Sequence, residues 1–217
     1  MIIVILGPDG SGKSTIMHRI ADFAYQQGYS IHHYHMRPRV RKAGRVGAGN
    51  DALTIPKDPH IRKPYGPLLS VVKAVYIVVE IIGGYYLVVR KLRCRDRCLV
   101  LFDRYYYDLE VDPLRYRYNG PVWLLSFLGR FIPQPDVCIY LDAPEQVLQS
   151  RKPELGLDEL CRQRAAYSKI LEKIPNAYQV DATRPLDQVV AAVKRILFPG
   201  FEIDPVSAPE LLHHPKV

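Results

Sequence analysis

Eight residues near the start of this 217-residue chain, Gly7-Pro8-Asp9-Gly10-Ser11-Gly12-Lys13-Ser14, obey the pattern G-x-x-x-x-G-K-[ST]. They follow the apolar run MIIVIL (1–6) and lead into a stretch with helical patterning (13–27). Strand, glycine loop and helix in that order leave few folds open. The glycines let successive backbone N–H groups turn inward with no Cβ in the way, and the helix behind them adds the positive end of its dipole. Gly7, Asp9, Gly10, Ser11, Gly12, Lys13, Ser14 and Thr15 are therefore the expected phosphate-binding set. Lys13 is expected to reach the β- and γ-phosphates of a nucleotide, and the Ser14 hydroxyl to ligate Mg²⁺.

The rest of the chain alternates. SIHHYHM (30–36), CLVLF (98–102), VCIYL (137–141) and AYQV (177–180) read as strands; 68–93, 121–131, 144–151, 157–174 and 185–197 read as helices. That order predicts an α/β protein with helices on a mostly parallel sheet, and the length suits one well-buried domain. Three strands end in an aspartate: Asp103, Asp142 and Asp181. Ligands of such sheets gather at the carboxyl ends of the strands, so these acids are the first to weigh. In LVLFDRYYYD (99–108) the first of them is followed by Arg104, which pairs an acid for a Mg²⁺ shell with a cation for an incoming anion.

The formal charge of +8 favours an anionic partner. Residues 37–67 form a long irregular connection in which eight Lys/Arg between Arg37 and Lys63 face two acids, either a solvated excursion or a flap over an anionic substrate. It lacks interleaved aromatics, which disfavours nucleic acid. No N-K-x-D base reader and no L-S-G-G-Q signature occur, which argues against a GTP switch and a transporter motor. Cys94, Cys98, Cys138 and Cys161 form no C-x-x-C pair and read as reduced thiols. The start reads as a strand, not a signal peptide. Within the greasy segment 68–93, Lys73 and Glu80 leave at most nine uncharged residues in a row after Glu80. A bilayer span needs ~20, so a cytoplasmic protein is expected. On that helix Lys73, Glu80, Gly84 and Lys91 share one stripe, and the apolar remainder predicts burial on several sides. A core helix that also meets a partner subunit is the first account of it; weak membrane-surface contact is the second. Residues 199–217 read as an extended tail.

The loop GPDGSGKST, the strand-end Asp103-Arg104-Tyr105, IYLDAPEQVL (139–148), an arginine soon after it, and VDATRPLDQVV (180–190) occur in the order seen in thymidylate kinases. Over residues 1–198 the chain resembles that family, or an atypical branch of it. The resemblance implies a five-stranded parallel sheet in the order 2-3-1-4-5, ATP and Mg²⁺ as cofactors, a mobile lid, and often a homodimer. It implies that Asp9 lies close to the acceptor's sugar and phosphate, that Asp103 (with Asp142 as rival) is the magnesium-shell acid, and that Arg104 binds the acceptor phosphate. The lid falls near 151–164. Position 10 is Gly where an arginine can stand, so the lid is expected to supply the cation that steadies the transferring group: Arg151 first, then Arg162 or Arg164. Thr183 and Arg184 occupy the adenine-flanking segment, where Thr183 is equally suited to cap the next helix.

Departures cluster on the acceptor side. Met36-Arg37-Pro38-Arg39 lacks the glutamate of the family's Arg-Glu-Pro; Lys73 stands near the place of an acceptor-binding arginine; and Tyr106-Tyr107-Asp108 replaces the stretch that helps to read thymine. Arg37, Lys73 and Tyr105 join Asp9 and Arg104 as candidate acceptor contacts. Tyr105, Tyr106 and Tyr107 could stack on a base or sugar, with at least one expected in the core. Asp108, Glu110 and Asp112 could bind sugar hydroxyls, with a solvated acidic loop as the first expectation. The expectation is a phosphotransferase acting on a small anionic acceptor. A kinase of sugar, nucleoside or glycan hydroxyls, for which Asp9 or Asp103 would serve as base, is the alternative. A non-catalytic nucleotide-binding partner of a membrane assembly is the third.

Overall fold

A computed structural model describes residues 1–38 and 63–200, and the backbone of 212–213. Most of the basic connection (39–62) and nearly all of the expected tail (201–211, 214–217) lie outside the described residues. The chain runs β1 (Ile2–Leu6), α1 (Lys13–Gln26), β2 (Ser30–His35), α2 (Pro67–Gly84), a π-helical turn (Tyr85–Val89), α3 (Arg90–Arg93), β3 (Cys98–Asp103), α4 (Tyr106–Val111), a 3₁₀ turn (Leu114–Tyr116) and α5 (Val122–Gly129). It continues through β4 (Val137–Asp142), α6 (Glu145–Arg151), α7 (Leu157–Leu171), β5 (Ala177–Asp181), α8 (Leu186–Leu197) and β6 (Leu212–His213).

The five long strands are parallel in the order β2-β3-β1-β4-β5, as the resemblance implies. Two-residue β6 adds antiparallel to β5 at one edge. β1 is central and buried over its whole length, because helices cover both faces of a parallel sheet. Its side chains alternate between two cores. Ile2, Val4 and Leu6 pack with α2 and α4, whereas Ile3 and Ile5 pack with α1 and α8. Strands on either side of β1 leave in opposite directions, so the crevice beyond its carboxyl end is the topological switch point. The glycine loop fills that crevice, and Asp103, in register with Ile5, ends beside it.

Two expectations need correction. The long helix is not buried on several sides. Ser70, Ala74, Ile77, Val78, Ile81 and Gly84 face inward, but Leu68, Val72, Val75, Val79, Tyr86 and Leu87 are exposed on the opposite face. By length and composition Pro67–Arg93 could cross a membrane, yet one face of it is committed to the sheet. The segment after Arg104 is not a solvated acidic loop either. It is helix α4, with Asp108 and Asp112 buried at 1 % and 4 % exposure. Asp108 accepts the Tyr105 N–H at 2.9 Å and so caps the helix start, a local bond that charge spacing alone does not reveal.

Candidate active site

The loop takes its shape from backbone angles open chiefly to glycine. Gly7 and Gly10 sit at φ 149° and 86°, and a Cβ on Gly10 would meet the Leu148 carbonyl oxygen at 2.6 Å. The cation missing from position 10 is thus missing for a steric reason. Lys13 folds back over the loop, and its Nζ donates to the Gly7 and Pro8 carbonyls at 2.7 and 2.8 Å. Burial first, and then the Arg104 guanidinium, push its pKa down to about 8.

Of the three strand-end acids, two are already engaged. Asp142 receives Arg164 through both oxygens, at 2.8 and 3.0 Å, along with the Gln179 amide and the Tyr140 hydroxyl. Asp181 accepts the Thr183 N–H and hydroxyl, and Arg184 Nε at 3.3 Å. The Thr183 side chain therefore holds Asp181; it does not cap α8, whose first turn has no side-chain cap. Asp103 differs. Its Oδ1 is buried with no hydrogen-bond partner among the described residues, as is the Ser11 hydroxyl in the loop. A buried, unpaired carboxylate oxygen beside the phosphate nest suits a hard cation, so the residues present fit Mg²⁺, with Asp103 favoured over Asp142.

Across the crevice stands a cluster of charges. Arg104 donates to Asp9 Oδ1 at 2.6 Å and to Asp108 Oδ1 at 3.3 Å. Its backbone is held at φ 69°, in the left-handed region. Arg115 donates to the other oxygen of Asp9 at 2.5 Å and to Asp112 Oδ2 at 3.2 Å. Lys152 Nζ stands 3.7 Å from the same Asp9 oxygen. Burial alone would raise the Asp9 pKa; Arg104, Lys13, Arg115 and Lys152 together hold it far below the usual carboxylate range. Behind this pair, Tyr167 donates to Asp108 Oδ1 at 2.7 Å and Gln163 Nε2 to Asp112 Oδ2 at 3.1 Å.

The other candidates divide. Lys73 donates to the Tyr116 carbonyl at 2.7 Å and lies over the Tyr65 ring, which Arg117 also covers. Arg37 is paired with Glu80. Arg151 donates to the Ala182 carbonyl at 2.9 Å, one residue before Thr183, while Arg162 and Arg164 are paired with Glu159 and with Asp142 and Glu145. Tyr105 is core packing: its ring lies against Phe102 and Tyr107, and its hydroxyl donates to the Pro133 carbonyl. Tyr106 and Tyr107 are buried too. Sequence reasoning missed Arg115, Lys152, Gln163 and Tyr167. Arg115 lies in PLRYRYN, which carries no motif, and Tyr167 sits where helical spacing reads as core.

No family profile matches the chain. Similarity to individual proteins runs nearly end to end. The chain is 29% identical over 213 residues to a probable thymidylate kinase of Methanothermobacter thermautotrophicus, covering 94% of this chain and 97% of that one. It is 28% identical over 216 residues to a probable thymidylate kinase of Staphylothermus marinus, with 90% and 93% covered. It is 25% identical over 213 residues to a thymidylate kinase of Thermosipho melanesiensis, with 91% and 97% covered. Likeness of that extent, on a parallel sheet ordered 2-3-1-4-5 with the glycine loop at its switch point, supports an ATP-dependent kinase, a phosphotransferase similar to the thymidylate kinases.

Proposed function

We propose that this kinase moves the γ-phosphoryl group of ATP onto a small anionic acceptor of the nucleoside monophosphate class. The observation that carries the reading is the contact of Arg104 with Asp9, 2.6 Å across the crevice. It ties the strand-end cation to the phosphate loop, so that an anion held by Arg104 stands next to the terminal phosphate of the donor. Catalysis is then mainly positioning and charge neutralisation. The loop N–H groups and Lys13 hold the β- and γ-phosphates once Lys13 exchanges the Gly7 and Pro8 carbonyls for them. Asp103 and Ser14 would hold Mg²⁺, which when bound offsets charge on the transferring group. Arg151 is the lid cation of first choice; its bond to the Ala182 carbonyl links it to the segment around Thr183 and Arg184, beside which adenine would lie.

The three relatives are named thymidylate kinases, so dTMP is the first acceptor to try. A panel of nucleoside monophosphates, sugar phosphates, nucleosides and free sugars, scored by ADP release with Mg²⁺ present, tests the reading. Turnover confined to phosphorylated acceptors supports it. Turnover confined to unphosphorylated alcohols overturns it, as does ATP binding with no turnover on any acceptor.

A cytoplasmic homodimer is part of the same proposal. Leu68, Val72, Val75 and Val79 on α2 and Tyr86 in the π-helical turn after it follow one another at steps of four, three, four and seven, without a charge among them. A second copy of the same helix fits such a seam. Equilibrium sedimentation of the wild type and of Val75→Glu/Val79→Glu would decide it: a wild-type monomer removes the dimer.

A further inference from the structure

We propose that Arg115 is a second guanidinium of the acceptor-anion clamp, and that Asp9 fills this clamp in place of phosphate while the chain is free of ligand. The inference rests on the acceptor being anionic, as proposed above. Asp9 does not pair with one partner. Its Oδ1 goes to Arg104 and its Oδ2 to Arg115, at 2.6 and 2.5 Å, with the two guanidinium side chains only 13% and 12% exposed. A carboxylate whose two oxygens meet two guanidiniums imitates two oxygens of a phosphate, and a tetrahedral dianion matches the same pair of forks with an oxygen to spare.

Each arginine also has a carboxylate of its own. Arg104 keeps Asp108, and Arg115 keeps Asp112. Asp108 and Asp112 lie four residues apart on and just beyond α4, and each is steadied from α7, by Tyr167 and Gln163. Asp9 is the shared ligand, whereas the other two are backing. If Asp9 leaves, neither guanidinium is stranded in a buried place without an anion, so exchange with a phosphate is electrostatically permitted. A third group awaits an occupant. The Tyr116 hydroxyl, next in sequence to Arg115, is buried with no hydrogen-bond partner among the described residues, and the charges acting on it are those of Asp108, Arg104, Arg115 and Asp112. A ligand-seeking hydroxyl beside two guanidiniums is what a phosphate site needs and what a purely structural ion cluster does not.

The test uses the full chain with its nucleotide loop filled by a non-hydrolysable ATP analogue and Mg²⁺, so that inorganic phosphate reads only the second site. Calorimetric titration of phosphate should give saturable binding to the wild type. Arg115→Gln should weaken it by at least ~10-fold, the loss expected for a charge-assisted bond. Arg115→Lys should fall between, and Asp9→Asn should tighten binding because the internal competitor has lost its charge. Absence of wild-type phosphate binding overturns the clamp. So does Arg115→Gln with unchanged affinity and an intact thermal melt, or Asp9→Asn with weaker binding. If Arg115→Gln does not fold, Arg115→Lys takes its place, and unchanged affinity there counts against the proposal. Steady-state kinetics separate this inference from the one beneath it. A phosphorylated acceptor turned over by wild type, with the same KM in Arg115→Gln, sinks the clamp and leaves the function standing. Lack of turnover by wild type on any acceptor sinks the function, while the phosphate titration still judges the clamp.

Discussion

The two walls of the crevice are made of different material. The wall proposed for the donor is one unbroken stretch, Gly7 to Ser14, whose groups are backbone N–H donors and a lysine six residues from the first glycine. The wall proposed for the acceptor is made of side chains from four places in the chain: Asp9, Arg104 with Asp108, Arg115 with its Asp112 partner, and Lys152. A site built from backbone must spell out its glycines at fixed spacing, because only that residue fits φ 86° under the Leu148 carbonyl. A site built from side chains can be assembled from any loop that the fold delivers. The first kind leaves a motif, and the second leaves almost none.

The contrast can be broken by experiment. Lys13→Ala should have the largest effect, lowering kcat by roughly 10³-fold with an unchanged thermal melt, since the lysine acts on charge at the transferring group. Near-normal turnover would show that the donor wall does not work through this residue. Asp108→Asn should act on the acceptor wall and on stability together. Removing one charge from the buried Arg104–Asp108 contact should cost about 3 kcal/mol in denaturant unfolding and raise the acceptor KM, with the KM for ATP unmoved. A change confined to ATP would place Asp108 on the wrong wall.

Gly10→Ala should cost about 2 kcal/mol of stability, because a left-handed alanine is strained and its Cβ has only carbonyl oxygen to meet. A melt equal to wild type would mean that the loop is looser than the contact with Leu148 indicates. The mildest effect is on pH dependence. Lys13 titrates at about 8 in the free chain, and phosphates favour its charged form, so ATP binding takes up a proton above that pH. Affinity should be full below pH 8 and fall by up to about tenfold per pH unit above it. Calorimetry at pH 9 in two buffers of different ionisation heat reads the uptake directly; equal heats would deny it.

Most of the fold was legible in the sequence because β1, β3 and β4 are buried on both faces and therefore read as unbroken apolar runs. Their boundaries lie within a residue or two of those expected. α4 was hidden, since YYDLEV has the charges of a surface loop; the burial of Asp108 depends on Arg104 and Tyr167, 4 and 59 residues away. The exposed face of α2 was hidden for the opposite reason, because an apolar face turned to solvent and one turned to a sheet have the same composition. In the site, the resemblance already puts Asp103 ahead of Asp142, and the pairing of Arg164 with both Asp142 oxygens adds a physical ground that no motif carries. Arg115 needed the 3₁₀ turn that follows α4 to bring it back over Asp9.

Arg104 has a consequence for anyone engineering heat resistance into this chain. Among the described residues, five other than glycine have positive φ: Met36, Arg97, Arg104, Arg117 and Asn176. The ordinary remedy, glycine at each such position, relieves about 1 kcal/mol of backbone strain where the side chain has little else to do. At 104 the same exchange would relax the main chain and empty the crevice of its central cation, so a sturdier protein would emerge without the anion clamp proposed above.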